Sequence, residues 1–325
     1  MAADFTLDFP EGKEIRILQV TDTQIIDSSQ CRYEGRLCER EMDLWRPEKI
    51  EERMGRYLRG AVEKSASDMI VHTGDFSYGE FDDKGTSFER HIEMMDAFKK
   101  PWCLAFGNHE RETNKGTRYL CDKLENCQYG LFKGENGVDG VRCEGDGNYS
   151  VLLRRGEKAV AMLYFLDSGV GNDVNPAGVY DGQKRWLRSQ AEAVKGVPAY
   201  AFFHIPPACV EKKLERYGYQ KEGVTPYEIP SNEDGDVGFV GEWGHPNLYI
   251  DRDGSLMALF EEIGVRRVFT GHIHKHAFTL RCGSILVTHG VKTGEYDSHD
   301  KAHLGGTLLI IGEDGCSKVE DVIVK

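Results

Sequence analysis

The sequence predicts an α/β fold, and three observations carry that prediction. Short apolar, β-rich runs alternate with helical patterns through the first two thirds of the 325 residues. Strand, helix and strand follow one another, which calls for βαβ crossovers and a largely central sheet. The last stretch then becomes a series of short strands and turns, suggesting a second sheet packed on the first.

Each element has a local reason. The runs "IRILQVT" (15–21), "MIVHTG" (69–74), "WCLAF" (102–106), "YSVLLRR" (149–155), "AVAMLYFLD" (159–167) and "AYAFFHI" (199–205) read as strands. Between the first two, after Pro47, the residues Ile50, Met54, Leu58, Ala61 and Val62 fall on one helical face. Leu187, Ala191 and Val194 do the same in "GQKRWLRSQAEAVKG". From "RRVFTG" (266–271) through "HAFTLRCG", "SILVTHG", "TLLIIGE" and "KVEDVIVK" the pattern is strand after strand. Residues 211–253 resist assignment: polar, rich in Gly and Pro, and too long for an idle connection, they are expected to form a substrate-facing loop. No internal repeat or linker divides the chain, so a single domain over 1–325 is expected.

Composition narrows the function. With 41 Lys and Arg against 54 Asp and Glu, the formal net charge of -13 would repel a phosphate backbone, so no nucleic-acid partner is expected unless metal ions reverse the local field. No apolar run is long enough to span a bilayer, and "MAADFTLDFPEGK" lacks the basic and apolar regions of a signal peptide. A cytoplasmic location is the expectation, or a secreted one if a signal has been removed; the oligomeric state is not legible. Nine cysteines are an odd number, too sparse for a disulfide scaffold and without zinc-ligand spacing. Cys31 with Cys38 and Cys121 with Cys127 could pair in an oxidising compartment, but the favoured reading is of ordinary small apolar residues. Asn148-Tyr149-Ser150 is a glycosylation sequon that has no meaning in a cytoplasmic protein.

Five segments share one arrangement, an apolar run followed at once by residues able to bind a metal. They are "ILQVTDTQ" (Asp22, Gln24), "VHTGDFSY" (Asp75, Tyr78), "LAFGNHE" (Asn108, His109), "AFFHIPP" (His204) and "VFTGHIH" (His272, His274). A lone Gly-Asp after a strand is more often a turn than a ligand, and a lone His more often a hydrogen-bonded core residue. Five such signals at strand ends make coincidence improbable, because ligands of open α/β sheets gather beyond the carboxyl ends of the strands.

In this order, Asp-x-Gln, Gly-Asp, Gly-Asn-His-Glu, His and Gly-His-x-His resemble the signature of the calcineurin-like metallophosphoesterases from about residue 15 to about 310. "GDGNYSVLL", "LYFLDSG", "FFHIP" and "GHIHKHAF" further resemble its purple-acid-phosphatase-like branch. The resemblance implies a four-layer αββα sandwich with two central mixed β-sheets. It implies two metal ions, Fe, Mn or Zn, with Asp75 bridging them, Asp22 and His274 completing the first site, and Asn108, His204 and His272 the second. His109 would be the catalytic residue beside the substrate, with Glu110 fixing its imidazole.

Two positions depart from the pattern. Gln24 stands where most members have His, so either its amide oxygen is a ligand or the first ion loses one. Tyr78, three residues after Asp75, matches the phenolate ligand of purple acid phosphatases and could compensate; otherwise it is a packed Tyr with its hydroxyl hydrogen-bonded. His276 and His289 are either supports of the site or plain structure, and Glu242 and His245 either touch substrate or are solvated loop. The expected activity is metal-dependent hydrolysis of a phosphomonoester, a small molecule or a phosphoprotein, with a phosphodiesterase or nucleotide pyrophosphatase as the nearest alternative and a non-catalytic scaffold as a third. No Gly-rich phosphate loop follows any strand, which sets aside a nucleotide-binding α/β protein.

Overall fold

The computed structural model describes residues 3–169, 177–218, 227–241 and 249–325. Two mixed sheets stand face to face between two helical layers, as the αββα expectation requires. The smaller sheet has the order β16-β15-β2-β3-β4, made of β2 (Ile15–Val20), β3 (Met69–His72), β4 (Trp102–Leu104), β15 (Gly305–Ile311) and β16 (Ser317–Ile323). The larger runs β1-β7-β8-β9-β12-β14-β13-β11-β10. Its strands are β1 (Phe5–Asp8), β7 (Tyr149–Arg155), β8 (Lys158–Phe165), β9 (Ala199–Phe202), β10 (Tyr227–Ile229), β11 (Val237–Val240), β12 (Val265–Thr270), β13 (His276–Cys282) and β14 (Ile285–His289). A two-stranded ribbon, β5 (Gly137–Val138) with β6 (Val141–Arg142), stands apart.

Alternation of side chains along the larger sheet builds both interiors. Val151, Leu153, Leu163, Phe165, Tyr200, Phe202 and Phe269 point to the smaller sheet, while Leu152, Met162, Tyr164, Ala201, Phe203 and Val268 point the other way. On the inner face Tyr149, Phe165, Phe202 and Phe269 stack across four neighbouring strands with ring centroids 4.6, 5.2 and 4.9 Å apart. The helices α1 (Glu39–Leu44), α2 (Ile50–Ser65), α3 (Thr86–Ala97) and α4 (Gly116–Glu125) precede α5 (Asp181–Ala193), α6 (Cys209–Arg216) and α7 (Ser255–Glu262). The expected face of α2, with Ile50, Leu58, Ala61 and Val62 buried, joins Phe88 of α3 and Leu120 of α4 against the smaller sheet. Trp186 and Leu187 of α5, Leu214 of α6 and Phe260 of α7 cover the larger one. Ala191 and Val194 are only half-buried, so the apolar face of α5 lies at Trp186 and Leu187.

Two expectations are corrected. The second sheet is not made by the C-terminal strands alone: β12, β13 and β14 extend the larger sheet, whereas β15 crosses to pair with β2, Leu309 opposite Ile17. The reason is burial: β15 is buried along its whole length, and inside the smaller sheet its faces are covered by α2 and the larger sheet while β2 and the half-exposed edge strand β16 pair its two edges. Residues 211–253 are not all loop, since the rest of α6 falls there and β10 and β11 form a hairpin on the edge of the larger sheet. Glu242 and His245 lie outside the described residues. All nine cysteines are free, including Cys31, Cys38, Cys121 and Cys127. Asn148 of the sequon is buried, its side-chain oxygen accepting from Asp167 N at 3.1 Å and Gln183 Nε2 at 2.7 Å. Among the described residues no helix is long and apolar enough to cross a membrane.

Candidate metal centre

The parallel strands β2, β3 and β4 of one sheet and β9 and β12 of the other end at the same edge, and each is followed by one of the five segments. The backbone there is turned hard. Asp22, Gln24, Asp75 and His272 have positive φ (51°, 46°, 53° and 80°), a region that costs a non-Gly residue free energy and concentrates at functional sites. Space is equally tight: a Cβ on Gly74 would lie 2.6 Å from His204 Nδ1, and one on Gly271 would lie 2.0 Å from Thr21 Oγ1, so these glycines let the two sheets' loops touch.

Two groups of ligand atoms result, Asp75 with His204 and His272, and Asp22 and Asp75 with His274. His204 Nδ1–H donates to Thr73 O at 2.7 Å, which turns Nε2 inward, where it can ligate a cation once its own proton is displaced. That Nε2 lies 3.2 Å from Asp75 Oδ2, from Asn108 Oδ1 and from His272 Nδ1. Such convergence of acceptors is what a cation satisfies. In the other group His274 Nε2 is 3.4 Å from Asp22 Oδ1, a buried atom without a hydrogen-bond partner, while Asp22 Oδ2 accepts from His272 N at 3.0 Å and Thr21 Oγ1 at 2.8 Å. The donor set therefore fits two cations sharing Asp75, and its mixture of imidazole, carboxylate and amide oxygen suits a transition metal better than calcium.

Charges are balanced within this edge. Burial opposes ionisation of Asp75, but His204 and His109 outweigh it and hold the carboxyl well below the usual range. Burial likewise drives His272 down to about 3, so that ring is neutral and able to ligate.

Of the residues read from the sequence, Asp22, Asp75, Asn108, His204, His272 and His274 are brought together; Gln24 and Tyr78 are placed otherwise. Gln24 Oε1 accepts from Lys292 Nζ at 2.7 Å, and the amide nitrogen donates to Asp75 Oδ2 at 3.3 Å. An ammonium has only donors, so the oxygen must face it, and the side facing the cluster is one that cannot ligate. Tyr78 lays its ring on His109, centroids 3.7 Å apart, and its hydroxyl accepts from Arg36 Nη2 at 3.3 Å, while burial and Glu112 raise its pKa. This is the packed arrangement rather than the phenolate one.

His109 presents Nε2 toward the cluster, 3.9 Å from Asp75 Oδ2, with Nδ1 2.8 Å from Glu112 Oε1. Burial disfavours its charged form, but Asp75, Glu112 and Glu110 overcome this and push it up to about 9. Glu110 does not hold the imidazole. It is buried and accepts from the backbone N–H groups of Gly107 at 2.7 Å, Asp75 at 3.3 Å and Phe76, so it ties the β3 and β4 loops together. His289 proves to be a support: its Nε2 accepts from Ile273 N at 3.1 Å, between the candidate ligands His272 and His274. His276 is buried beside it, with rings 6.0 Å apart, and His276 O accepts from His289 Nδ1.

Sequence reasoning missed Lys292, His72 and Glu112. His72 accepts from Gly74 N at 3.2 Å and donates to Thr23 Oγ1 at 3.0 Å, bracing the loops that carry Asp22 and Asp75. Glu112 was findable, because His and Glu three apart share a face of a helical turn.

Residues 15–276 match the calcineurin-like phosphoesterase family. The chain belongs to that family. It is 29% identical over 257 residues to the probable inactive purple acid phosphatase 28 of Arabidopsis thaliana, covering 71% of this chain and 58% of that protein. It is 26% identical over 193 residues to the phosphatase DCR2 of Saccharomyces cerevisiae, covering 52% and 33%. This member thus spans less than two thirds of either relative's length. Its fold is shared with a dimetal phosphatase from Danio rerio (TM-score 0.52, 12% identity, covering 95% of this chain and 99% of that one). It is also shared with GAP50, the anchor in the inner membrane complex of Plasmodium (TM-score 0.51, 10% identity, 95% and 85%).

Proposed function

We propose that this calcineurin-like protein is a single-domain phosphomonoesterase that works with two metal ions, Fe, Mn or Zn, held by Asp22, Asp75, Asn108, His204, His272 and His274. The observation that carries the reading is that Asp75 belongs to both ligand groups, the arrangement two-metal hydrolysis needs. Bound there, the ions would supply Lewis acidity to a phosphate oxygen and to the attacking water. The chain's own residues do the rest. His204 is fixed in one tautomer by Thr73 O, and Asp75 is fixed by His109 N, which donates to Oδ1 at 3.1 Å. His109, biased toward its protonated form by Asp75 and Glu112, is placed to give a proton from Nε2 to the departing alkoxide. The negative surface is no obstacle, since the ions provide the positive charge that a phosphate requires.

The test is hydrolysis of an aryl phosphate monoester against the matching diester, by metal-stripped protein reloaded in turn with Mn, Zn and Fe. Faster monoester turnover supports the phosphatase. A diester preference replaces it with a phosphodiesterase or pyrophosphatase, and silence on both with metal bound favours a non-catalytic relative.

A further inference from the structure

Lys292 is buried at 1% exposure, and its ammonium donates to two neutral oxygens, Asp22 O at 2.9 Å and Gln24 Oε1 at 2.7 Å. The segment around it is laced to the loop that carries Asp22. Thr293 N donates to Thr21 O at 2.9 Å, Thr21 N to Thr293 Oγ1 at 3.1 Å, and Gly294 N to Asp22 O at 3.2 Å. The ammonium is therefore fixed behind the Asp22 and Gln24 turns rather than swinging in solvent. Two consequences follow for a cation held by Asp22, Asp75 and His274. The Gln24 amide presents N–H groups where an oxygen could have served, and a positive charge stands nearby in a buried setting where screening is weak. At the other group the corresponding amide, Asn108, turns its oxygen inward, 3.2 Å from His204 Nε2.

We propose that Lys292 is a positioning residue that makes the Asp22–Asp75–His274 group the weaker of the two cation sites, by holding the Gln24 oxygen away from the cluster and by opposing the cation with its own charge. This rests on the two-metal reading above and adds an order to it: the Asp75–Asn108–His204–His272 group fills first, and the second cation is the exchangeable one.

The experiment is calorimetric titration of the metal-stripped full chain with Mn²⁺, with metal content measured after dialysis. The wild type is expected to take up two ions in unequal steps, and His274→Ala to lose only the weaker. Lys292→Met frees the amide and removes the charge, so the weaker step should tighten roughly tenfold. Gln24→Glu should tighten it too, because a carboxylate can face Lys292 with one oxygen and the cation with the other. Should Lys292→Met fail to fold, Lys292→Gln, which keeps a donor for the buried oxygens and removes the charge, decides in its place. A weaker step that is unchanged or loosened in the folded variants, or two equal steps in the wild type, overturns the inference and leaves the two-metal reading standing. No uptake at all by the wild type overturns both.

Discussion

In the Asp75–His204–His272 group the neighbouring amide turns its oxygen inward and His204 is locked by a backbone carbonyl, whereas in the Asp22–Asp75–His274 group the amide at position 24 offers its nitrogen and a buried lysine stands behind it. Even the histidines differ. His204 is fully buried, while His274 has Nδ1 3.4 Å from Ser298 Oγ and 3.6 Å from the half-exposed Asp297. Both groups hang from strand ends, but His204 is braced by a buried backbone carbonyl and His274 by the surface residues Asp297 and Ser298, so one carboxylate is shared by two groups whose histidines are unequally supported.

The sharpest way to break the comparison is to remove what the groups share. Asp75→Asn is expected to empty both sites and lower turnover by at least about 10³-fold; metal content checks this, and retention of either ion would mean that Asp75 does not bridge. His109→Ala is expected to slow turnover by about 10²–10³-fold with both ions kept, so loss of metal would contradict its role as proton donor.

Glu112→Gln tests what sets the protonation of His109. In the metal-free chain the proton on His109 is present below about 9 and lost as pH rises through it. Cations on Asp75 would lower that point, and in the loaded protein a donor then shows an alkaline limb in the kcat profile below it. Removing one supporting carboxylate should move that limb to lower pH by roughly one unit; an unmoved limb would assign it to another group. The smallest effect belongs to Tyr78→Phe. With its hydroxyl on Arg36 it should cost about 1 kcal/mol in denaturant unfolding, leave metal content unchanged, and leave the iron-loaded protein equally colourless. A visible band in the wild type that vanishes in the variant would restore the phenolate ligand.

The residues that the fold gathers at one edge were legible because strand-end chemistry is local: each motif needs only an apolar run and the two or three residues after it. What depends on distant partners was not. Nothing within β15 says that it will leave β14 and pair with β2, since that choice is made by burial across about 290 residues of chain. Lys292 reads as an ordinary surface lysine until the Asp22 loop folds over it. Glu110 and Glu112 are both plausible partners of His109, and only the turn of the chain decides that Glu110 faces backbone N–H groups and Glu112 the imidazole.

The meeting of strand ends from opposite sheets has a mechanical meaning too. Asp75 hangs from β3 and His204 and His272 from β9 and β12, so an ion gripped by all three is a rivet through the sandwich, closing a loop of chain as a disulfide would. Chelation would then draw the rivet, and the two sheets would be free to part first at the edge where the chemistry is done.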